Sequence, residues 1–436
     1  MARSSLHPLR IFLVGFVLVA LFVPVTIRIL SRNAESTDPL AGIVPGEASE
    51  TGSSILSSFA HESVQWPEAL QREVNRESFG RNSTLEGWMV STDRNPLEAP
   101  VPRSRPPILK VQTLSGQAFG IPIAQFRDES WVMRNDGAIQ RIERNSIVHE
   151  QVLEVPFEAI HKDQLIEELR KEFGARFQIR SEGPYVFVTR GSQGLQWANR
   201  FRSLYSSMKQ FCRSRGFITR EIEFPLIAIV MGNEEEFLQY ARAHQATLPN
   251  NCVGYYSQHD NRIILFEDAK KMSRQETLDT ICHEAAHQLA FNMGLHQRCS
   301  GCPLWLAEGF ATMFEAPAFS NRDGSGRTQW AASRQGTWSS LLRDGKRVSA
   351  ALDSLIRSDK LFDQDPDVAY AVAWALTHYL ATERPKPFGE LLVQTGQLPP
   401  FVPFHSADRW EHFRRTVGTD MGKLTRELIA HMQSLK

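Results

Sequence analysis

Two histidines and two glutamates stand in an order that chemistry can use. The stretch Thr280-Ile281-Cys282-His283-Glu284-Ala285-Ala286-His287-Gln288-Leu289 contains His-Glu-x-x-His. On a helix, residues four apart share one face, so His283 and His287 can offer two ring nitrogens to a single metal ion. Glu284 lies between them, suited to accept a proton rather than to bind the ion. Two imidazoles alone leave a zinc site incomplete, because hydrolases of this type take a third protein ligand and leave a fourth position to water. Glu308 supplies a carboxylate for that role, with 20 residues between it and His287, inside Pro303-Leu304-Trp305-Leu306-Ala307-Glu308-Gly309-Phe310-Ala311.

These side chains need two helices to bring them together. Ser273-Arg274-Gln275-Glu276 reads as a capping box that opens the first helix, and Gly294 offers its stop. Leu278, Ile281, Cys282, Ala285 and Leu289 recur at helical spacing as an apolar stripe. At about 100° per residue the two histidines fall opposite that stripe, which predicts that they face a cleft. Pro303 suits the first turn of the second helix, and a loop of about eight residues lets the chain turn back. Gly309, beside the third ligand, permits close helix packing. The competing reading, two histidines on a solvated helix face, gives Glu308 no part.

This combination resembles the gluzincin clan of zinc peptidases, in which a second helix carries the third ligand as glutamate. Residues 305–311 look like the corresponding helix of aminopeptidases in that clan, but the spacing from His287 is longer here. The Gly-x-Met-Glu-Asn segment that holds a substrate amino terminus is missing, so the resemblance does not extend to aminopeptidase specificity. A closer resemblance is to a bacterial family of uncharacterised peptidase-MA-like domains. There, a Gly-x-Tyr-Ser stretch and an apolar strand precede the histidine helix, as Gly254-Tyr255-Tyr256-Ser257 and Arg262-Ile263-Ile264-Leu265-Phe266 do here.

The resemblance covers about residues 176–432. It implies an α+β, thermolysin-like domain with a mixed sheet followed by a helical half, a bound Zn2+ and a peptide or protein substrate. It also implies that the strand at 262–266 is an exposed edge for the substrate backbone, an interior strand being the alternative. Tyr370, 62 residues after Glu308, falls near where related peptidases place a tyrosine that donates to the oxyanion. Packing in an apolar helix is its other reading. His378 lies on the same helical side as Tyr370 and Trp374.

The rest of the chain frames this domain. Its 436 residues are 42% hydrophobic, with 49 basic and 49 acidic side chains, so nothing marks a nucleic-acid footprint. Residues 11–27 form an uncharged apolar run flanked by Arg3, Arg10, Arg28 and Arg32, roughly 25 Å long as a helix. Residues 1–32 are therefore expected to be a membrane anchor, with a cleaved signal segment as the alternative. An exported catalytic domain, periplasmic or at the cell surface, follows from that. Residues 33–107, rich in Pro, Ser, Glu and Asn, read as a disordered linker.

Residues 108–152 alternate in short runs around Asn135-Asp136-Gly137, a hairpin signal, and are expected to form a small SH3-like β-barrel. Residues 153–436 then make the metallopeptidase domain. Cys212, Cys252, Cys282, Cys299 and Cys302 are odd in number. Cys299 and Cys302, before the Glu308 helix, are expected to form a disulfide with each other or with Cys252, with free thiols or a small metal site using His296 as alternatives. The expected function is an anchored zinc peptidase with Glu284 as general base. A catalytically silent metal-binding scaffold or an adaptor of the cell envelope is the alternative.

Overall fold

A computed structural model describes residues 107–153, 155–190, 194–248, 252–266, 274–315 and 332–435. No helix among them is long and apolar enough to cross a membrane. The expected anchor at 11–27, the linker up to residue 106, and Ser273 of the capping box lie outside the described residues.

The first five strands are β1 (Ile108–Thr113), β2 (Gln117–Gln125), β3 (Glu129–Met133), β4 (Ile139–Glu143) and β5 (Ile147–Leu153). They form an antiparallel sheet of order β4-β3-β2-β1-β5. The expected turn joins β3 to β4: Gly137 sits at φ 83°, where a side chain is disfavoured, and Asp136 accepts a hydrogen bond from the Ala138 amide.

Next come α1 (Lys162–Phe173), the hairpin β6 (Gln178–Glu182) and β7 (Tyr185–Thr189), α2 (Gly194–Arg215), β8 (Leu226–Met231), α3 (Glu234–Ala243), β9 (Gly254–Ser257) and β10 (Arg262–Phe266). The second sheet runs β6-β7-β8-β10-β9, with β7, β8 and β10 parallel and the outer strands antiparallel. All residues of β7 and β8 are buried. That is why both read as unbroken apolar runs: a sheet covered on two faces has no polar side to alternate with. Val186, Ile227 and Ile264 pack toward Leu165, Leu169 and Phe237. Their neighbours Phe187, Ala228 and Leu265 pack toward Phe201 and Leu289 on the opposite side.

The remaining chain is helical: α4 (Arg274–Asn292), α5 (Leu304–Thr312), α6 (Ala332–Leu341), α7 (Gly345–Arg357), α8 (Lys360–Gln364), α9 (Pro366–Glu383), α10 (Pro385–Thr395), α11 (Ser406–Thr416) and α12 (Met421–Ser434). The architecture is thus mixed α+β. One expectation is overturned: β10 is an interior strand between β8 and β9. The edge belongs to Gly254-Tyr255-Tyr256-Ser257. An apolar pentapeptide satisfies either position locally, and the return of β9 against β10 decides it.

Candidate metal centre

Helix α4 does not present its histidines to an open cleft. Every residue from Thr280 to Phe291 is buried, because the sheet covers one side of the helix and α5 the other. Its C-terminus is as expected, with Gly294 at φ 76° just past the last turn. His283, Glu284, His287 and Glu308 are each about 1% exposed.

The histidines converge on Glu308 of α5. The two Nε2 atoms are 3.1 Å apart, and Glu308 Oε2 lies 3.3 Å from that of His283 and 3.7 Å from that of His287. Tetrahedral zinc with bonds of about 2.0 Å holds its ligand atoms about 3.3 Å from one another, so this triangle has the size such an ion needs. The same trio is the group among the described residues able to hold a metal ion. Glu308 Oε1 is buried without a hydrogen-bond partner, an arrangement that costs free energy unless something else occupies the site. The residues fit zinc.

Helix α5 reaches this place through two contacts that the motif does not contain. Gly309 lies against α9, where a Cβ would stand 2.3 Å from Thr377 Oγ1 and 2.5 Å from the Ala373 carbonyl oxygen. At the start of α5 the Leu304 amide donates to Asp359 Oδ1 at 3.0 Å. That carboxylate is itself gripped by both terminal nitrogens of Arg409, at 2.7 and 2.8 Å. A carboxylate at the first turn also suits the helix dipole.

Glu284 points to the edge strand. Its Oε2 accepts the Tyr256 amide at 2.9 Å, while Oε1 is buried without a hydrogen-bond partner. Burial, which penalises the ionised form, lifts this carboxyl to about 8, and the neighbouring Glu308 and Glu315 add to the effect. Tyr256 is free to donate because the ladder bonds of β9 alternate. Phe266 bonds to Val253 across the strands, and Tyr255 opposes Ile264 two residues on, which turns the backbone groups of Gly254 and Tyr256 outward.

Glu315 was not singled out in the sequence. Its Oε1 is 2.7 Å from His283 Nδ1. A carboxylate only accepts, so Nδ1 carries a proton and Nε2 is the nitrogen left to face a metal ion. Burial disfavours the charged ring, but Glu308 and Glu315 outweigh it and raise His283 to about 10, so a metal ion binding at Nε2 would displace a proton from that nitrogen. His287 is shifted down by burial. Glu315 follows Glu308 by seven residues and lies just past the end of α5, where helical spacing gives no signal.

Tyr370 of α9 lies beside the centre, buried, its ring 6.4 Å from that of His283 and edge-on to Phe362 at 5.2 Å. His378, on the same helix, is elsewhere: its Nδ1 is 2.9 Å from His431 Nε2. The disulfide expectation is overturned, since the five cysteines are buried and none is joined to another by a disulfide. Cys299 Sγ lies 4.0 Å from His259 and Cys302 Sγ 3.7 Å from His296. Each thiol is thus turned to its own imidazole. Burial pushes both up to about 12, so both stay neutral.

Residues 277–402 match a family described as a protein of unknown function (DUF1570). No curated protein matches the chain. Among solved structures it is similar to an M1 zinc metallopeptidase from Deinococcus radiodurans, a point mutant bound to a Tyr-Ser-Ala substrate. The identity is 12% and the TM-score 0.30, over 58% of this chain and 51% of that one. An aminopeptidase N family protein from Idiomarina loihiensis gives 12% identity and a TM-score of 0.31, over 74% of this chain and 53% of that one. The chain spans about half the length of these structures.

Proposed function

We propose that this chain is a zinc-dependent metallopeptidase, with His283, His287 and Glu308 as ligands and Glu284 as general base. The observation that carries the reading is the zinc-sized triangle of three buried donors, with a fourth buried group, Glu284, held off it by a backbone amide. When bound, zinc supplies Lewis acidity toward a carbonyl oxygen and makes water easier to deprotonate.

The protein's own residues do the rest. Glu284 Oε2 is anchored on Tyr256, which leaves Oε1 to take a proton from water and return it to the leaving amine. Once ionised, a carboxylate whose proton affinity is raised by burial holds that proton more strongly during the transfer. Glu315 keeps His283 in the binding tautomer. An extended substrate would add as a strand to β9, lying alongside the base and replacing the Cys252 thiol at the Gly254 carbonyl. Tyr370, next to His283, would donate to the oxyanion. The anchor expected at residues 11–27 would place this hydrolase at the cell envelope, which a topology reporter fused after Pro107 tests.

The decisive test pairs metal analysis with a peptide-library screen. Parent and Glu284→Gln should both retain about one zinc per chain, while hydrolysis falls on the order of 10² to 10⁴-fold in the variant. Equal rates in the two proteins would refute the role of Glu284. A parent without zinc would refute the whole assignment, and a zinc-loaded parent that cleaves nothing would leave the scaffold reading.

A further inference from the structure

The tip of the β3–β4 hairpin does not project into solvent. The Gly137 carbonyl accepts a hydrogen bond from Arg298 Nη1 at 2.7 Å, and the same nitrogen donates to the Gln258 carbonyl at 3.1 Å. Arg298 Nη2 reaches Met133 Sδ at 3.1 Å. This guanidinium is only 8% exposed, and it bonds to two backbone carbonyls, a thioether and the Tyr256 side chain, so shape rather than charge pairing determines where it sits. One bond extends the β4 ladder into the same turn, from the Ile139 amide to the His259 carbonyl at 2.7 Å.

Arg298 therefore joins three segments: the hairpin turn of the small sheet, the turn between β9 and β10, and the connection between α4 and α5. The last two both end on the metal centre. The α4–α5 connection leads into Glu308, and the β9–β10 turn closes the strand whose Tyr256 amide holds Glu284. Gln258 ties them again, its Oε1 accepting the Cys299 amide at 2.8 Å.

An apolar plug seals the junction. Phe126, Trp131 and Ile139 from the small sheet pack with Cys299, Phe401 and Val402, and the Trp131 and Phe401 rings are 4.6 Å apart. Cys299 and Phe401 adopt φ of 56° and 61°, and the Phe401 amide donates to the Cys299 carbonyl. Such backbone conformations are unfavourable for side-chain-bearing residues and persist where the surroundings over-determine them. Here part of those surroundings is the small sheet.

We infer that the sheet at 108–153 is a built-in positioning element of the metal centre, with Arg298 as the positioning residue that couples its hairpin turn to both arms of the site. This rests on the metallopeptidase reading above. An adaptor that moved freely on a tether would lack these bonds, and a spacer that merely packed would affect stability alone.

The test uses the full chain with three substitutions. Arg298→Met keeps the apolar stem and removes the donors, and Arg298→Lys restores a cation with fewer of them. Gly137→Ala works from the other partner: at φ 83° an added Cβ would stand 2.9 Å from the Phe224 ring. The readouts are zinc release to a chelator, the visible absorption of the Co2+-substituted protein, and kcat and KM on a peptide.

Arg298→Met and Gly137→Ala should release zinc on the order of 10-fold faster, the size of effect known for groups that orient metal ligands. Their Co2+ spectra should shift and kcat should fall with KM little changed. Arg298→Lys should recover part of each. Folded variants that melt earlier but keep the parental spectrum and release rate would overturn the inference, as would a Lys variant, folded like the parent, that behaves as the parent in every readout. If the parent holds no zinc, the metallopeptidase reading fails, and hydrogen exchange across residues 296–306 then decides. Faster exchange in Arg298→Met supports the coupling, and parental protection overturns it.

Discussion

Gly309→Ala tests whether helix crossing places Glu308, the proposed third ligand. The added Cβ would meet Thr377 Oγ1 at 2.3 Å and the Ala373 carbonyl oxygen at 2.5 Å, against an ordinary contact of about 3.5 Å. One of the two is backbone, so the misfit is relieved only by moving α5 away from α9 by about 1 Å. Overpacking of this kind costs about 1–3 kcal/mol, and the better helix propensity of Ala returns about 1 kcal/mol. The net effect on stability is then small, a melting temperature lower by a few degrees.

The effect on the metal is larger. Glu308 is the preceding residue, and metal–ligand distances tolerate only about 0.2 Å. Zinc affinity, measured by competition with a chromophoric chelator, should fall at least 10- to 100-fold in a chain that remains folded by circular dichroism. Adding Thr377→Ala removes the first clash but leaves the Ala373 carbonyl, so the double variant should recover only part of the loss. A Gly309→Ala protein with parental zinc affinity and an unchanged or higher melting temperature would refute the argument.

Glu315→Gln keeps the shape beside His283 Nδ1 but removes the carboxylate, and should weaken zinc about 10- to 100-fold without unfolding the chain; parental affinity in the same competition assay would refute it. Acid should destabilise the protein through its buried neutral histidines. Burial lowers His378 to about 3, helped by repulsion from His431 and Arg215, while His431 in turn faces Glu383 at 3.2 Å. Because this folded-state pKa is depressed, the stability contributed by the neutral ring is fully present above about 6.5 and is lost as pH falls toward 3. His378→Gln should flatten the decline of melting temperature over that range, and an unchanged slope would refute it.

The parts legible in the sequence were those fixed by neighbours along the chain. His283, Glu284 and His287 share a helix, and their spacing alone places them within a turn of one another. The hairpin at Gly137 needs only a residue tolerant of positive φ between two alternating runs. The glutamate in Trp305-Leu306-Ala307-Glu308-Gly309 was found by its setting in a helix, which a local pattern records.

The stripe argument for α4 failed for a related reason. Periodicity marks a helix with one wet side, whereas Ala285, Ala286, Leu289 and Ala290 are buried all round the axis, and polar residues among them are buried too.

Packing between distant segments decided the rest. Whether β10 lies at the edge depends on β9 folding back against it. Asp359 and Arg409 cap α5 from positions 55 and 105 residues further along, and Arg298 gains its meaning only when a hairpin 161 residues earlier supplies the Gly137 carbonyl. The cysteines read as a crosslink because they are close in sequence, yet each thiol is turned to a different imidazole. A short sequence window carries propensity and periodicity, but the partner of a buried polar group is set by which surfaces the whole chain brings together, and that balance of desolvation against hydrogen bonding exists only in the folded protein.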